Sequence, residues 1–483
     1  MLAVLLAMLA TDASRPNILL ILADDMGYGD VAALSPDSRI ATPHLDRLAG
    51  QSLVMTDAHS PCSWCIPTRH SLLTGRLPID LNVGDRNRAV IADDLATLPG
   101  RLREADYQTA MVGKWHLGFA SGEPHLTDEA QPLVGGPCDR GFDSYFGIPR
   151  SLDQPPYYYI RDRGPVQRPT ESIAGSRSEG WSSIQGNFWR KGGIAPGFAH
   201  DRVTPDVLDE AATRLGDLAE SDDPFFLYVA LPSPHTPWAV AEEFRGRSDV
   251  PLYGDFVMQV DAGVGRLLDV LDQTGQADDT LVVFTSDNGP VWYETPDPGR
   301  DGLDQPDTVR HGHDASGQWR GMKGDAHEGG HRVPFFVRWP GQIEPRRSEA
   351  LICHADLFAT LLELAEGNGS LPQAGPLDSV DFSPHWRHGE AGGRSEFLVR
   401  PSGGPIGYAL RSGSWKFIPF LGSGGFTPPK QIQPEGDQPG AQLYDLAADP
   451  GEQTNLAAER PEKLAELQAR YDELMAAYRS QPK

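Results

Sequence analysis

The sequence predicts an α/β fold built on a mostly parallel central sheet, and three apolar runs carry that expectation. Residues 18–23 read Ile-Leu-Leu-Ile-Leu-Ala, residues 225–231 Phe-Phe-Leu-Tyr-Val-Ala-Leu, and residues 281–285 Leu-Val-Val-Phe-Thr. A strand that is apolar at successive positions is buried on both faces, as in parallel sheets covered by helices. Before the third run, Val260, Val264, Leu267, Leu268 and Leu271 recur at helical spacing. Strands alternating with helices argue for a sheet with helices on both faces.

Each run ends in polar or turn residues. Asp24-Asp25 and Gly27-Tyr28-Gly29 follow the first, Pro232-Ser233-Pro234-His235 the second, and Ser286-Asp287-Asn288-Gly289 the third. Ligands of open α/β sheets collect beyond the carboxyl ends of the strands, so these ends form a candidate site. Leu357, Leu361, Leu362 and Leu364 suggest a further helix. Residues 120–200 and 290–320 are long loop-like stretches. The first is rich in Gly, Pro, Ser and aromatics, including Tyr157-Tyr158-Tyr159; the second carries His311, His313 and Asp314. Loops of this length are commonly functional, and both are read as walls of a substrate pocket.

The texture changes after about residue 390. Residues 408–411 and 415–418, split by Ser412-Gly413-Ser414, read as an antiparallel hairpin. A last helix from Pro461 places Leu464, Leu467, Tyr471, Leu474 and Tyr478 on one face. A catalytic domain over 14–390 and a smaller α+β subdomain with an antiparallel sheet over 391–483 are expected.

Composition narrows the function. The 483 residues hold 42 basic and 67 acidic side chains, a formal charge of −25. Nucleic acid is disfavoured as a partner, because neutralising phosphates takes clustered Lys and Arg. A polyanionic substrate would need a local basic pocket. Residues 1–10 are almost wholly apolar but too few for a span of about 20 residues. They fit a signal-peptide core ending within residues 1–13, without a basic start, so a periplasmic or secreted location is expected, with no stable membrane span. Of the four cysteines, Cys62 and Cys65 form a C-x-x-C, a spacing also used by redox pairs and zinc sites.

Adjacent carboxylates at Asp24 and Asp25 are costly to bury without a counter-ion. A divalent cation removes that cost, and oxygen donors suit Ca²⁺ or Mg²⁺. Asp287 and Asn288 offer two more oxygen ligands at another strand end.

Cys65-Ile66-Pro67-Thr68-Arg69 with Leu72, Leu73, Thr74 and Gly75 resembles the C-x-P-x-R and L-x-T-G signature of the type I sulfatases, arylsulfatase-like members included. Thr68 stands where serine is commoner. Gly113-Lys114-Trp115-His116-Leu117-Gly118 resembles the family's G-K-W-H-L-G segment. Lys323-Gly324 with Glu328-Gly329-Gly330-His331-Arg332-Val333-Pro334 resembles its K-G-x-x-x-E-G-G-x-R-x-P run. Leu443-Tyr444-Asp445-Leu446 with Asp449, Pro450 and Glu452 matches its terminal motif.

The resemblance implies an alkaline phosphatase-like sandwich and hydrolysis of a sulfate ester, of a sulfated carbohydrate or an aryl alcohol, through a covalent formylglycine-sulfate intermediate. It implies that a formylglycine-generating or other sulfatase-maturing enzyme oxidises Cys65 to formylglycine. It implies one calcium ion held by Asp24, Asp25, Cys65, Asp287 and Asn288. Arg69 would stabilise the hydrated aldehyde, and Asp287 would accept its proton. Lys114, His235 and Lys323 would contact sulfate, His116 would help release it, and Ser151 matches a sulfate-contacting serine. Two other readings are a phosphomonoester or phosphodiester hydrolase of the same superfamily, and an inactive binder of sulfated glycans should Cys65 remain a thiol.

Overall fold

In the computed structural model, the structure describes residues 15–83, 88–122, 132–178, 185–291, 310–367, 378–402 and 407–480. The apolar start of the chain lies outside these residues.

Ten strands form the main sheet. They are β1 (Asn17–Asp24), β2 (Leu53–Met55), β3 (Gln108–Lys114), β4 (Ser144–Ile148), β5 (Ile160–Arg161), β6 (Gly164–Pro165), β7 (Phe225–Pro234), β8 (Thr280–Ser286), β9 (Phe335–Arg338) and β10 (Arg346–Ser348). Their order is β10-β2-β9-β8-β1-β7-β3-β4-β5-β6. The five central strands, β8 to β4 in that order, are all parallel. Antiparallel pairing is confined to the flanks, at β8–β9, β9–β2, β4–β5 and β5–β6.

The apolar runs are the middle of this sheet, for the expected reason. Along β1, Leu19, Ile21 and Ala23 join the core on one face, while Ile18, Leu20 and Leu22 join the core on the other. Burying one such side chain contributes about 1.5–3 kcal/mol, so neither face can be turned to water cheaply. The run at 225–231 continues as strand to Pro234, carrying the backbone up to His235.

Helix α1 (Cys65–Thr74) packs on the second face, α2 (His200–Ala219) and α3 (Tyr253–Gln273) on the first, and α4 (Asp356–Glu366) beside α1. The helix expected around Val260 is α3, and that around Leu357 is α4.

The C-terminal region is a four-stranded antiparallel sheet, β11 (Glu396–Val399), β12 (Ala409–Ser412), β13 (Trp415–Ile418) and β14 (Gln442–Asp445), in sequence order. The expected hairpin is β12–β13. Helix α5 (Pro461–Ser480) covers this sheet through Leu467 and Met475, with Leu464, Tyr471, Leu474 and Tyr478 packed against the same core. A second core, including Leu77, Cys353, Phe397, Val399 and Ile418, joins this sheet to the main body.

Candidate active site

The carboxyl ends of the parallel strands converge. Ends of β1, β8, β3 and β7 deliver Asp24-Asp25, Asp287-Asn288, Lys114 and His235. Asp25 holds a left-handed φ of 66° and donates its N–H to Asp287 Oδ1 at 3.2 Å, locking the two carboxylate-bearing turns together. Gly289 lies so close to the 321–332 segment that a Cβ there would fall 1.8 Å from the Gly329 carbonyl oxygen. Gly113 is held by the same kind of fit, at φ 115° against the Ala230 carbonyl.

Cys65 is the first residue of α1, whose ten residues are all buried. Its Sγ lies 3.7 Å from Asp24 Oδ1 and accepts from Lys323 Nζ at 3.2 Å. The lysine loop is pinned to the chain before α1, with Gly324 N–H donating to the Ser63 carbonyl at 2.7 Å. Arg69, one turn along α1, donates from Nε and Nη2 to Asp287 Oδ2 at 3.1 and 2.9 Å, and from Nη1 to the Lys114 carbonyl at 3.0 Å. Lys114 contacts Asp24, and Lys323 contacts Asp25.

Three carboxylates therefore face three cations in a buried site of formal charge zero. Burial alone would raise Asp24; the charges of Lys114, His235, Arg69 and Lys323 outweigh it and hold Asp24 well below the usual range. Burial and then the charge of Asp24 push Asp287 up to about 6, against the pull of Arg69. That split is how neighbouring like charges share a site. Lys323 stays charged despite burial because the charge of Asp25 favours its ammonium form. Burial pushes the Cys65 thiol far up, so unmodified Cys65 is a poor nucleophile.

The oxygens of Asp24, Asp25 and Asn288 suit one hard cation. Ligand atoms of Asp24, Asp25, Cys65 and His235 lie within 4.8 Å of one another. Asn288 donates from Nδ2 to Asp25 Oδ1 at 2.7 Å, and its Oδ1 is buried without a partner. A buried amide oxygen left unpaired is costly, and a cation at this cluster would satisfy it.

A family model, Sulfatase, matches residues 16–367. The chain belongs to the sulfatase family. It is 30% identical to the N-acetylgalactosamine-6-O-sulfatase of Bacteroides thetaiotaomicron, over 94% of this chain and 92% of that one. It is 33% identical to human arylsulfatase A, over 94% and 87%. A solved 6S-sulfatase structure, from work on glycosaminoglycan metabolism by Bacteroides thetaiotaomicron, superposes with a TM-score of 0.80 at 28% identity, covering 96% of this chain and 99% of that one. The architecture of this sulfatase is accordingly the alkaline phosphatase-like sandwich.

Two histidines of the sulfatase lie at the rim. His116, at φ 61°, has Nδ1 3.5 Å from Ser151 Oγ. Burial, then the charges of Lys114 and Arg69, hold it well below its ordinary value, so the ring is neutral. His235 Nε2 faces Asp25 Oδ2 at 3.6 Å, and its Nδ1 lies 2.6 Å from the Thr236 carbonyl, which fixes the ring. All the expected site residues thus fall in one cluster.

The 290–320 stretch corrects one expectation. Residues 292–309 lie outside the described residues. His311 is exposed, but His313 turns inward and is fully buried. Its Nε2 lies 2.9 Å from Asp30 Oδ1, and its Nδ1 accepts from the Arg39 N–H at 3.3 Å. It braces the loop after β1 rather than walling a pocket, because two polar partners offset its burial.

A second buried charge cluster was not foreseen. Glu328 meets Arg332 at 2.8 Å, Lys416 at 3.1 Å and Arg411 at 3.2 Å, and Lys416 also faces Glu452 at 3.3 Å. Arg332 and Arg411 reach on to Asp57. The motifs containing Glu328, Arg332 and Glu452 were visible signals, whereas nothing local marks Arg411 and Lys416 in their hairpin.

Proposed function

We propose that this sulfatase removes sulfate from a sulfated carbohydrate, with a 6-sulfated N-acetylhexosamine as the first substrate to try. The observation that carries the reading is the neutral trio of buried ion pairs around Cys65 with the Asn288 oxygen left unpaired. Asp24, Asp25, Asp287, Asn288 and position 65 would hold a calcium ion. Formylglycine derived from Cys65 would supply a hydrated aldehyde as nucleophile, and the ion would supply positive charge beside it.

The chain's own groups do the rest. Asp24 and Asp25, which would hold the ion, now pair with Lys114 and Lys323 and would release them on binding it. The two ammonium groups then meet the anionic ester and the charge that develops on it, the largest kind of catalytic contribution. Arg69 keeps its fork on Asp287 and holds that carboxylate where it can take a proton. His235, at the rim, would donate to the departing alcohol. Neutral His116, oriented by Ser151, accepts a proton as sulfate is released. The sugar preference rests on the relatives whose names carry N-acetylgalactosamine-6-sulfatase activity. Export fits such a substrate.

Peptide mass spectrometry and a sulfate-release assay test this together. Conversion lightens the peptide holding residue 65 by about 18 Da, the covalent change from thiol to aldehyde. Matured protein that carries this change but frees no sulfate from carbohydrate or aryl sulfates would end the proposal.

A further inference from the structure

The ribbon that follows the tyrosine-rich segment is not used by the mechanism above. Strands Glu171–Ile173 and Gly192–Ile194 pair antiparallel, and Ser176 and Trp189 exchange backbone hydrogen bonds at 2.9 and 3.3 Å. Between these two walls lies a cleft of about 530 Å³, lined by Arg177, Phe188, Trp189, Arg190 and Lys191 with Gly175 and Ser176. Its floor is rigid. Trp189 stacks on His200 at 4.5 Å and donates from Nε1 to the Ala174 carbonyl at 3.0 Å, while Arg190 lies over the Phe188 ring.

Among the described residues the charges lining this cleft do not balance. Arg190 is paired with Asp153. Arg177 and Lys191 are exposed and make no ion pair among the described residues. In a chain of formal charge −25, two cations that line one cleft on an aromatic floor, neither in an ion pair among the described residues, ask for an anion. The site's long-range repulsion of polyanions makes a local attraction useful within about 8 Å, the screening length at physiological salt.

The cleft is tethered to the catalytic rim on two sides. The Arg190 N–H donates to the Asp153 carbonyl at 3.1 Å, and Asp153 is two residues from Ser151, a reach of at most about 7 Å. The Trp238 N–H donates to the Gly186 carbonyl at 2.8 Å, three residues beyond His235. The ribbon therefore borders both loops that present rim residues.

We propose that Arg177 and Lys191 form a second anion subsite, which binds the carboxylate or sulfate of the sugar adjoining the one that is desulfated. This rests on the carbohydrate reading above and adds that the preferred substrate is an anionic oligosaccharide. The aromatic floor would carry the sugar ring, and the two cations would hold its charge.

The test is the double variant R177S/K191S, whose changes are confined to exposed side chains. Three substrates are compared: a 6-sulfated N-acetylgalactosamine, its disaccharide with a uronic acid, and a disaccharide whose second sugar carries sulfate instead. Losing two exposed ion pairs should lower the kcat/KM ratio of disaccharide to monosaccharide about tenfold, through KM. A loss on the uronate disaccharide alone identifies a carboxylate subsite, and a loss on the disulfated one alone a sulfate subsite. An unchanged ratio on both overturns the proposal. Calorimetric binding of the same disaccharides to C65A, with and without R177S/K191S, gives a readout free of turnover. A tenfold weaker Kd there with no sulfate release by the wild-type protein would sink the functional reading and leave the subsite standing. Equal Kd values would sink the subsite whatever the wild type hydrolyses.

Discussion

Two buried clusters of charge, joined by residues 323–332, have the same inventory and opposite readiness. The first sets Asp24, Asp25 and Asp287 against Arg69, Lys114 and Lys323. The second sets Asp57, Glu328 and Glu452 against Arg332, Arg411 and Lys416. Each has three acids and three bases. The first holds two of its acids with lysines, single-point charges on flexible stems that can let go. The second uses two arginines, whose planar forks fix geometry.

Hydrogen bonding separates them further. Each cluster holds one buried acceptor without a hydrogen bond, Asn288 Oδ1 in the first and Glu452 Oε1 in the second, where Lys416 Nζ stands 3.3 Å away. His116, His235 and Lys323 lie at the slightly exposed rim of the first cluster. In the second, His59 Nε2–H donates to Asp57 at 2.8 Å, which leaves Nδ1 to accept from His331 Nδ1–H at 2.9 Å; His331 Nε2 then accepts from Lys416 at 2.8 Å. His59, Glu328 and His331 could share an ion by distance alone, yet Lys416 already occupies that space. The contrast teaches that charge count does not mark a reactive site. Replaceable partners at an accessible rim do.

The largest effect should come from the first cluster. Cys65→Ala is expected to abolish turnover while leaving the urea midpoint near that of the wild type; near-normal sulfate release would dissolve the contrast. Lys323→Ala should slow every ester by about 10²–10³ in kcat, the usual cost of losing one such electrostatic donor. Steady-state kinetics on two unlike sulfate esters decides this.

Lys416→Met probes the brace. Removing one partner of a buried pair costs about 3–5 kcal/mol, so unfolding should shift strongly, while the protein that stays folded keeps a kcat nearer the wild type than Lys323→Ala does. A lower kcat at unchanged stability would place Lys416 in the chemistry.

Acid should weaken the folded state. Burial holds His70 at about 4 and His354 at about 3, and burial also lowers His59 and His331. The unfolded chain binds protons near 6.5 and the folded chain does not, so stability falls as pH drops below about 6.5. At pH 5.5 His70 and His354 each cost about 1.4 kcal/mol. Urea midpoints at pH 7.5 and 5.5 check the sign. The smallest effect is expected of His311→Ala, within about 0.5 kcal/mol in stability and confined in activity to the choice of substrate.

The strands around the first cluster were legible because each is apolar over its whole length and ends in unusual polar residues. Its residues lie on motifs of a few residues, so local reading reaches them. The second cluster was only half legible. Glu328 and Arg332 are four residues apart, but Lys416 meets Glu328 across 88 residues, and no local pattern encodes that pairing. His313 was misplaced because a polar loop histidine looks the same in sequence whether it faces solvent or Asp30. The short flanking strands, such as β2 and β6, carry too few residues to show a period.

Metal analysis of the purified protein tests the contrast most directly. The account predicts one divalent ion per chain, lost in Asp25→Ala and kept in Lys416→Met. Two zinc ions per chain, or an ion that survives Asp25→Ala, would contradict it.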